Sequence, residues 1–188
     1  MIPLVVLSGP TAVGKGTVER ALLEAHPEIW VSISATTRAP REGEVDGRDY
    51  WFVSEEEFRR REEEGRFLET AVVHGMAHYG TPLEPVLDHI RRDVPTLLEI
   101  DLQGARSVAK KAKDLKVGVF SVFLAPPSFD SLVYRLDLRG TESPEQKARR
   151  LETAKKEMAS EGEFDAVIVN DEVDKAAATL WDLMKKLY

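Results

Sequence analysis

A short segment near the start of the chain, Gly9-Pro10-Thr11-Ala12-Val13-Gly14-Lys15, has the spacing GxxxxGK. Glycines at such positions allow backbone N–H groups to point inward around an anion, at the positive end of a following helix. The lysine adds a mobile positive charge that suits the β- and γ-phosphates of a nucleotide. An ordinary glycine turn is the alternative, but it becomes infrequent when a strand must precede the segment and a helix must follow it. The segment predicts a nucleoside triphosphate site with contacts from Gly9, Pro10, Thr11, Ala12, Val13, Gly14, Lys15, Gly16 and Thr17.

The residue that normally binds a metal ion in such a segment is different here. Gly16 occupies the position where a serine or threonine hydroxyl normally meets Mg²⁺, and Thr17 follows it. In this respect the ending resembles the phosphate loops of adenylate kinases and their relatives. Mg²⁺ is then expected to be held through water, by Thr17, or by a carboxylate of Glu99 or Asp101. These two acids are predicted to share one face of an otherwise apolar strand, and buried acids need a partner, which favours a functional role.

A second anion site is predicted from Ser34 to Arg41. Arg38 and Arg41 lie in this segment with no acidic residue between them. Two arginines alone are more often a surface feature than a clamp. Next to a triphosphate site, they indicate a place for a second phosphorylated ligand.

The elements that must position these residues follow from the hydrophobic pattern. Strands are predicted at 2–7, 96–102, 117–125 and 164–169, and helical apolar periods at 18–25, 105–112, 129–136 and 173–187. Strands that alternate with helices predict an α/β fold in which a parallel sheet is flanked by helices.

One stretch, about 34–81, differs from the rest because it is polar and rich in aromatic residues. We interpret it as a subdomain inserted into a core of about 1–33 and 82–188, within one domain spanning 1–188. Inside it, Ser54 and Glu57 have the spacing of a capping box that opens a charged helix, which Gly65 can close.

Length and composition exclude several classes of protein. The chain has 188 residues, no cysteine and a net charge of −7, with 43% hydrophobic residues. These values predict one domain without disulfides or thiol chemistry, and they disfavour binding along a nucleic-acid backbone. No apolar run is long enough to span a membrane and no secretory leader is present, so we expect a cytoplasmic protein.

Taken together, the segments resemble the guanylate kinases, which make GDP from GMP and ATP. The resemblance covers essentially the whole chain, and its most specific part is the pattern Ser-x-Thr-Thr-Arg-x-Pro-Arg. It is carried by the phosphate loop, 34–50, Phe67-Leu68-Glu69, Tyr79-Gly80-Thr81, 98–104 and Arg139-Gly140-Thr141-Glu142.

The resemblance implies a P-loop kinase fold with an inserted GMP-binding subdomain at 34–81 and a mobile lid at about 137–150. It implies ATP and GMP as substrates and Mg²⁺ as the cofactor that accompanies ATP. The implied GMP-binding residues are Ser34, Arg38, Arg41, Tyr50, Glu69, Tyr79, Thr81, Glu99 and Asp101. The implied catalytic residues are Lys15, Arg38, Arg135, Arg139 and Arg150, and Asn170 is implied near the adenine of ATP.

The chemistry of guanine agrees with two of these roles. Guanine presents N1–H and its 2-amine as two parallel donors and O6 as an acceptor. A carboxylate at Glu69 can accept from both donors, and a hydroxyl at Thr81 can donate to O6. Adenine has no 2-amine, so it would leave the carboxylate unpaired.

Two further interpretations stay open from the sequence. A guanylate-kinase-like interaction module without catalysis would share the fold, although it would not need the intact GxxxxGK. A kinase for another nucleoside monophosphate would share the phosphate loop, and Glu69 with Thr81 speaks against it. The oligomeric state does not follow from the sequence.

Overall fold

A computed structural model describes residues 2–73, 77–139 and 143–188. The strands are β1 (Leu4–Ser8), β2 (Trp30–Val31), β3 (Ala35–Thr36), β4 (Trp51–Phe52), β5 (Phe67–Val73), β6 (Ala77–Pro82), β7 (Thr96–Glu99), β8 (Val119–Ala125) and β9 (Ala166–Val169). The α-helices are α1 (Lys15–Ala25), α2 (Glu55–Glu63), α3 (Leu83–Arg91), α4 (Leu102–Leu115), α5 (Phe129–Arg139), α6 (Pro144–Met158) and α7 (Val173–Met184), and a 3₁₀ turn lies at Glu161–Glu163.

The main sheet is parallel throughout, with strand order β2-β7-β1-β8-β9. Alternate residues of β1 face opposite sides of it, as the twofold period of a strand requires. Val5 and Leu7 pack in one apolar cluster with residues of α1, α5, α6 and α7. Leu4 and Val6 pack in a second cluster with residues of α3 and α4. The predicted α/β fold with helices on both faces of a parallel sheet is confirmed.

A second sheet, with order β4-β3-β6-β5, is formed by residues between 35 and 82. Its long hairpin β5–β6 places Glu69 opposite Thr81. Helix α2 covers the sheet by burying Phe58, which stacks on Phe67 with ring centroids 4.6 Å apart. The small Gly80 is required there, since a Cβ would lie 2.9 Å from the ring of Phe67.

The structure corrects the predicted strand 96–102. Strand β7 ends at Glu99, and Asp101 is the N-cap of α4, where its Oδ1 accepts from the N–H of Gly104 at 2.7 Å. Glu99 and Asp101 therefore do not share a strand face. Asp101 precedes the helical period of α4, and an aspartate in that place is a favoured N-cap.

Other predicted boundaries differ by less, and several elements were missed, among them helix α6 and the strands of the second sheet. β1, β8 and β9 each begin two residues later than predicted. Helix α3 was missed although Leu83, Val86, Leu87 and Ile90 have the helical spacing, and the two-residue strand β2 was too short to show a pattern.

At α2, the predicted N-cap is confirmed because Ser54 accepts from the N–H of Glu57. The other hydrogen bond of a capping box, from the backbone N–H of Ser54 to the side chain of Glu57, was predicted but is replaced by ion pairs. The carboxylate of Glu57 accepts from Arg60 and Arg61 instead of returning to the backbone of Ser54.

Candidate functional site

The phosphate loop joins the carboxyl end of β1 to the first turn of α1, as predicted. Gly9 has φ +152° and passes so close to β8 that a Cβ would lie 2.3 Å from the carbonyl oxygen of Leu124. Gly14 is the N-cap of α1 with φ +97°. Only glycine fits the first position without displacing backbone, and the second favours glycine for its positive φ.

Lys15 begins α1 and spans the loop. Its ammonium donates to the carbonyl oxygen of Gly9 at 2.8 Å, so the side chain folds back across the segment that it follows. Thr17 lies exposed on the first turn of α1. A Cβ at Gly16 would lie 3.4 Å from Oε2 of Glu99, which places that carboxylate beside the loop.

Two side chains from distant elements hold the loop carbonyl of Val13. Arg135 of α5 donates from Nη1 to this oxygen at 2.8 Å and from Nη2 to the carbonyl oxygen of Asn170 at 2.9 Å. The amide of Asn170 donates to the same oxygen of Val13 at 2.8 Å. Asn170 is 2% exposed, so in this structure it supports the loop from beneath.

Glu157 of α6 also contacts the loop, although nothing in the sequence predicted it. Its Oε2 accepts from the backbone N–H of Thr11 at 3.2 Å. Burial raises the pKa of the Glu157 carboxyl. Glu157 is one charged residue among many in α6, so the sequence held no signal that would single it out.

The second predicted anion site centres on Arg38, which follows β3. Its Nε donates to the hydroxyl of Tyr79 at 3.1 Å, and its two terminal nitrogens each donate to a carboxylate oxygen of Glu44 at 2.9 Å. The guanidinium carbon lies 5.3 Å from the ring centre of Tyr50. The structure therefore brings together Arg38, Tyr50 and Tyr79, which the family resemblance implied as one group, and adds Glu44.

Arg41 and Ser34 lie at the margins of this cluster. Arg41 is exposed, and its backbone N–H donates to Glu44 at 2.7 Å. Ser34 is half-buried, and its carbonyl oxygen accepts from the N–H of Trp51 at 2.9 Å.

Glu69 and Thr81 form a buried pair on the β5–β6 hairpin. Glu69 is 8% exposed and Thr81 1%, and the threonine hydroxyl donates to Oε1 of Glu69 at 2.7 Å. The pKa of Glu69 is raised, and burial is the largest cause. The charge of Asp101 adds to this shift, whereas the hydrogen bond from Thr81 opposes it. Both Glu69 and Asp101 border Gly104, where a Cβ would lie 3.3 Å from Oε2 of Glu69 and 3.2 Å from Oδ1 of Asp101.

One cavity of about 370 Å³ is lined by residues of both sites. Glu19 and Glu99 belong to the side of the phosphate loop, and Ser34 and Tyr50 belong to the second anion site. Glu19 of α1 is hydrogen-bonded to Glu99, and burial together with the charge of Glu99 raises the pKa of Glu19 to about 7. Glu19 was not predicted as a site residue, because the two acids meet only when α1 packs against the end of β7.

The predicted lid falls on the end of α5, the start of α6 and the connection between them. Arg150 is half-buried on α6, and Lys147 of α6 forms an ion pair with Asp137 of α5. Residues 140–142 and the side chain of Arg139 lie outside the part of the chain that the structure describes.

Within the described ranges, no group of three or more histidine, aspartate or glutamate side chains is arranged to hold a metal ion by itself. No helix of these same ranges is long and apolar enough to cross a membrane.

A phosphate loop on a parallel sheet, with a basic second site on an adjoining sheet, defines the class of P-loop nucleotide kinases. The guanylate kinase family model matches residues 1–187 of this chain. The guanylate kinase of Bifidobacterium longum is 65% identical over 98% of this chain and 94% of its own length. That of Frankia casuarinae is 56% identical over 98% of both chains.

A solved structure supports the same family. The crystal structure of guanylate kinase from Anaplasma phagocytophilum has a TM-score of 0.76 and 34% identity, over 98% of this chain and 85% of that one. The chain belongs to the guanylate kinase family.

Proposed function

We propose that this chain transfers the γ-phosphoryl group of ATP to GMP, and also to dGMP, giving ADP and the nucleoside diphosphate. The observation that carries the proposal is the buried Glu69–Thr81 pair, placed in the same molecule as a complete phosphate loop with Lys15. The close relatives carry the name guanylate kinase.

Base recognition is assigned to Glu69, Thr81 and Asp101. A carboxylate offers about four acceptor positions, so Glu69 can accept from both N1–H and the 2-amine of guanine. The predicted donation from Thr81 to O6 requires its hydroxyl proton to leave Glu69, because a hydroxyl has one proton. Asp101, fixed as an N-cap close to Glu69, completes an acidic surface for the donor edge of the base.

The phosphate of GMP is assigned to Arg38, Arg41, Tyr50 and Tyr79. Ser34 is assigned beside the base, and it lines a cavity together with Tyr50 and Glu99. Arg38 and the two tyrosines are held by contacts with one another, so their donors are positioned by the protein itself. Preformed donors lower the free energy that binding must spend on ordering side chains.

ATP is assigned to the loop residues 9–17, where backbone N–H groups and Lys15 meet its phosphates. Arg135, Arg139 and Arg150 come from the helices around the lid, and they neutralise charge as α5 and α6 close over the triphosphate. We keep Asn170 as an ATP-site residue that acts through the loop, since its amide holds Val13.

Mg²⁺ is the proposed companion of ATP. The exposed Thr17 hydroxyl and the Glu99 carboxylate beside Gly16 are oxygen donors of the kind that Mg²⁺ prefers, so the residues present fit the ion. Thr17 would hold it directly or through water, with Glu99 as a further ligand. When bound, the ion stabilises charge on the β- and γ-phosphates.

No general base is needed for this reaction. The second pKa of a phosphate monoester is about 6, so the attacking oxygen of GMP is already deprotonated at neutral pH. The protein's contribution is to align two polyanions, reduce their repulsion and exclude water from the transferring group. The assigned partners are small molecules, with a cytoplasmic role in purine nucleotide metabolism. The net charge of −7 disfavours binding along a nucleic-acid backbone.

The test is a coupled ADP-release assay with ATP and Mg²⁺ in which GMP, dGMP, AMP, UMP and CMP are supplied in turn. ADP release with GMP and dGMP alone is the expected result. Release with AMP or a pyrimidine nucleotide would assign another monophosphate kinase. If folded protein that still binds GMP released no ADP with any acceptor, the result would instead favour an interaction module without catalysis.

A further inference from the structure

Glu44 occupies the centre of the arginine cluster that is assigned to the GMP phosphate. Its two carboxylate oxygens accept from Nη1 and Nη2 of Arg38, both at 2.9 Å. Oε2 also accepts from the backbone N–H of Arg41 at 2.7 Å. The side chains of Arg38 and Glu44 are 17% and 19% exposed, so the pair is mostly withdrawn from water.

The donors of Arg38 are nearly all in use. A guanidinium has five N–H groups. One meets the hydroxyl of Tyr79, one the carbonyl oxygen of Ala39, and two the carboxylate of Glu44. Among the described residues, none of these contacts uses the fifth N–H, on Nη2, which can therefore face a ligand.

Glu44 is anchored independently of Arg38, because the backbone of Arg41 holds it as well. The three N–H donors lower the pKa of Glu44 to about 2, with the contact to Arg38 as the largest cause. The carboxylate therefore stays ionised at neutral pH, and the Arg38–Glu44 pair carries no net charge. Arg41, exposed beside it, supplies the positive charge that attracts a phosphate.

Resting on the proposed GMP site, we propose that Glu44 is a positioning residue for the GMP phosphate: it stays in place when GMP binds and holds Arg38 so that its remaining Nη2 N–H faces the phosphate. Its bidentate contact fixes the plane of the guanidinium, which Tyr79 fixes from a third direction. A flexible arginine would lose rotamer freedom on binding, whereas a held arginine has lost it already.

The alternative is that Glu44 is a stand-in for the phosphate and leaves when GMP arrives. The two interpretations predict opposite results when the carboxylate is removed. Loss of a positioning residue weakens GMP binding, while loss of a competitor strengthens it.

The experiment compares Glu44→Ala and Glu44→Gln with Glu42→Gln, a control that removes one negative charge from an exposed position in the same segment. In steady-state assays, Glu44→Ala is expected to raise the KM for GMP about 10-fold or more, with the KM for ATP changed less than about 2-fold. Glu44→Gln is expected to lie between wild type and Glu44→Ala, because its amide oxygen can still accept from the N–H of Arg41. Glu42→Gln is expected to match wild type.

A binding measurement separates positioning of Arg38 from general damage to the subdomain. Calorimetry with GMP and with guanosine, which lacks the phosphate, is expected to show weaker GMP binding by Glu44→Ala and unchanged guanosine binding. Equal losses for both ligands would assign Glu44 a purely structural role and overturn the proposal.

A double-mutant cycle with Arg38→Ala completes the test. If Glu44 acts through Arg38, Glu44→Ala is expected to have little further effect on the KM for GMP once Arg38 is gone. A lower KM for GMP in Glu44→Gln, or an unchanged KM in both Glu44 variants, would also overturn the proposal. Absence of GMP turnover and binding in wild type would instead reject the proposed function, so the two failures are distinguishable.

Discussion

The phosphate loop and the pocket around Glu69 and Arg38 differ in the part of the chain that meets the ligand. The loop is a contiguous run of nine residues, 9–17, whose backbone presents the N–H donors. The second site draws side chains from β5, β6, α4 and the segment after β3, which lie up to about sixty residues apart in the chain. The first site is made by local backbone conformation, and the second by the pairing of distant strands.

This difference corresponds to what each site must recognise. A polyphosphate is a row of anionic oxygens, and backbone N–H groups at a helix N-terminus suit it without any base-specific contact. A guanine is distinguished by the order of donors and acceptors on its edge, which requires side chains of particular type at fixed positions. A site that discriminates between bases therefore depends more on tertiary structure than a site that binds phosphate.

The largest effect is expected where the loop does depend on a side chain. Lys15→Ala should lower kcat by about 10²- to 10³-fold, because a charge that stabilises the transferring phosphoryl group is lost. The KM for GMP should change little, since the second site lies on other elements. The measurement is the coupled ADP-release assay, with Lys110→Ala on the exposed face of α4 as the control. Near-normal turnover would remove Lys15 from its assigned role.

The backbone character of the loop is tested by Gly9→Ala. Its Cβ would lie 2.3 Å from the carbonyl oxygen of Leu124, so β8 or the loop must shift. We expect a loss of about 2–3 kcal/mol in the free energy of unfolding, measured by urea titration. Gly43→Ala is the matched control: it also has a positive φ, +84°, but nothing lies within 4 Å of its Cβ, and about 1 kcal/mol is expected. Equal losses would show that φ alone, and not the approach to β8, constrains Gly9.

The side-chain character of the second site is tested by Glu69→Gln. The amide keeps the shape of the carboxylate but offers one acceptor oxygen, so it cannot accept both guanine donors at two oxygens. The KM for GMP should rise about 10- to 100-fold and the KM for ATP should stay within about 2-fold. Glu63→Gln, exposed on α2, is the control. If both KM values rose together, Glu69 would not be reading the base.

The smallest effect concerns Glu19 and Glu99, which lie between the two sites. The pKa of Glu19 is about 7 in the folded protein against an ordinary value of 4.5. A raised pKa contributes stability that is present below pH 4.5 and is lost as the pH rises through 7, by at most about 3 kcal/mol. Glu19→Gln should therefore be more stable than wild type by about 1–2 kcal/mol at pH 8 and not at pH 4.5.

Urea titrations at pH 4.5 and pH 8, in EDTA to exclude metal ions, measure this difference. Glu24→Gln, exposed on the same helix, serves as the control and should show no pH-dependent gain. A stability difference between wild type and Glu19→Gln that does not change with pH would contradict the raised pKa of Glu19.

Much of the fold could be predicted because local pattern and tertiary structure agree in the core. The apolar periods of α1, α4, α5 and α7 face the sheet as their spacing indicated. The predicted end of β7 was wrong because Asp101 is compatible both with a strand end and with an N-cap, and the local sequence does not decide between them. Helix α3 shows the opposite case, since its spacing was present in the sequence and was overlooked.

The sequence by itself determined the phosphate loop, the alternation of strands and helices that defines the α/β core, and the family, because each depends on residues close together in the chain or on similarity over its whole length. Only the tertiary structure decided that Glu44 holds Arg38, that Glu157 and Arg135 hold the loop, and that Glu19 meets Glu99. The reason is physical. A charged side chain on a helix or loop has the same local sequence signature whether it faces water or another element, and its partner is set by how the two sheets and their helices pack together.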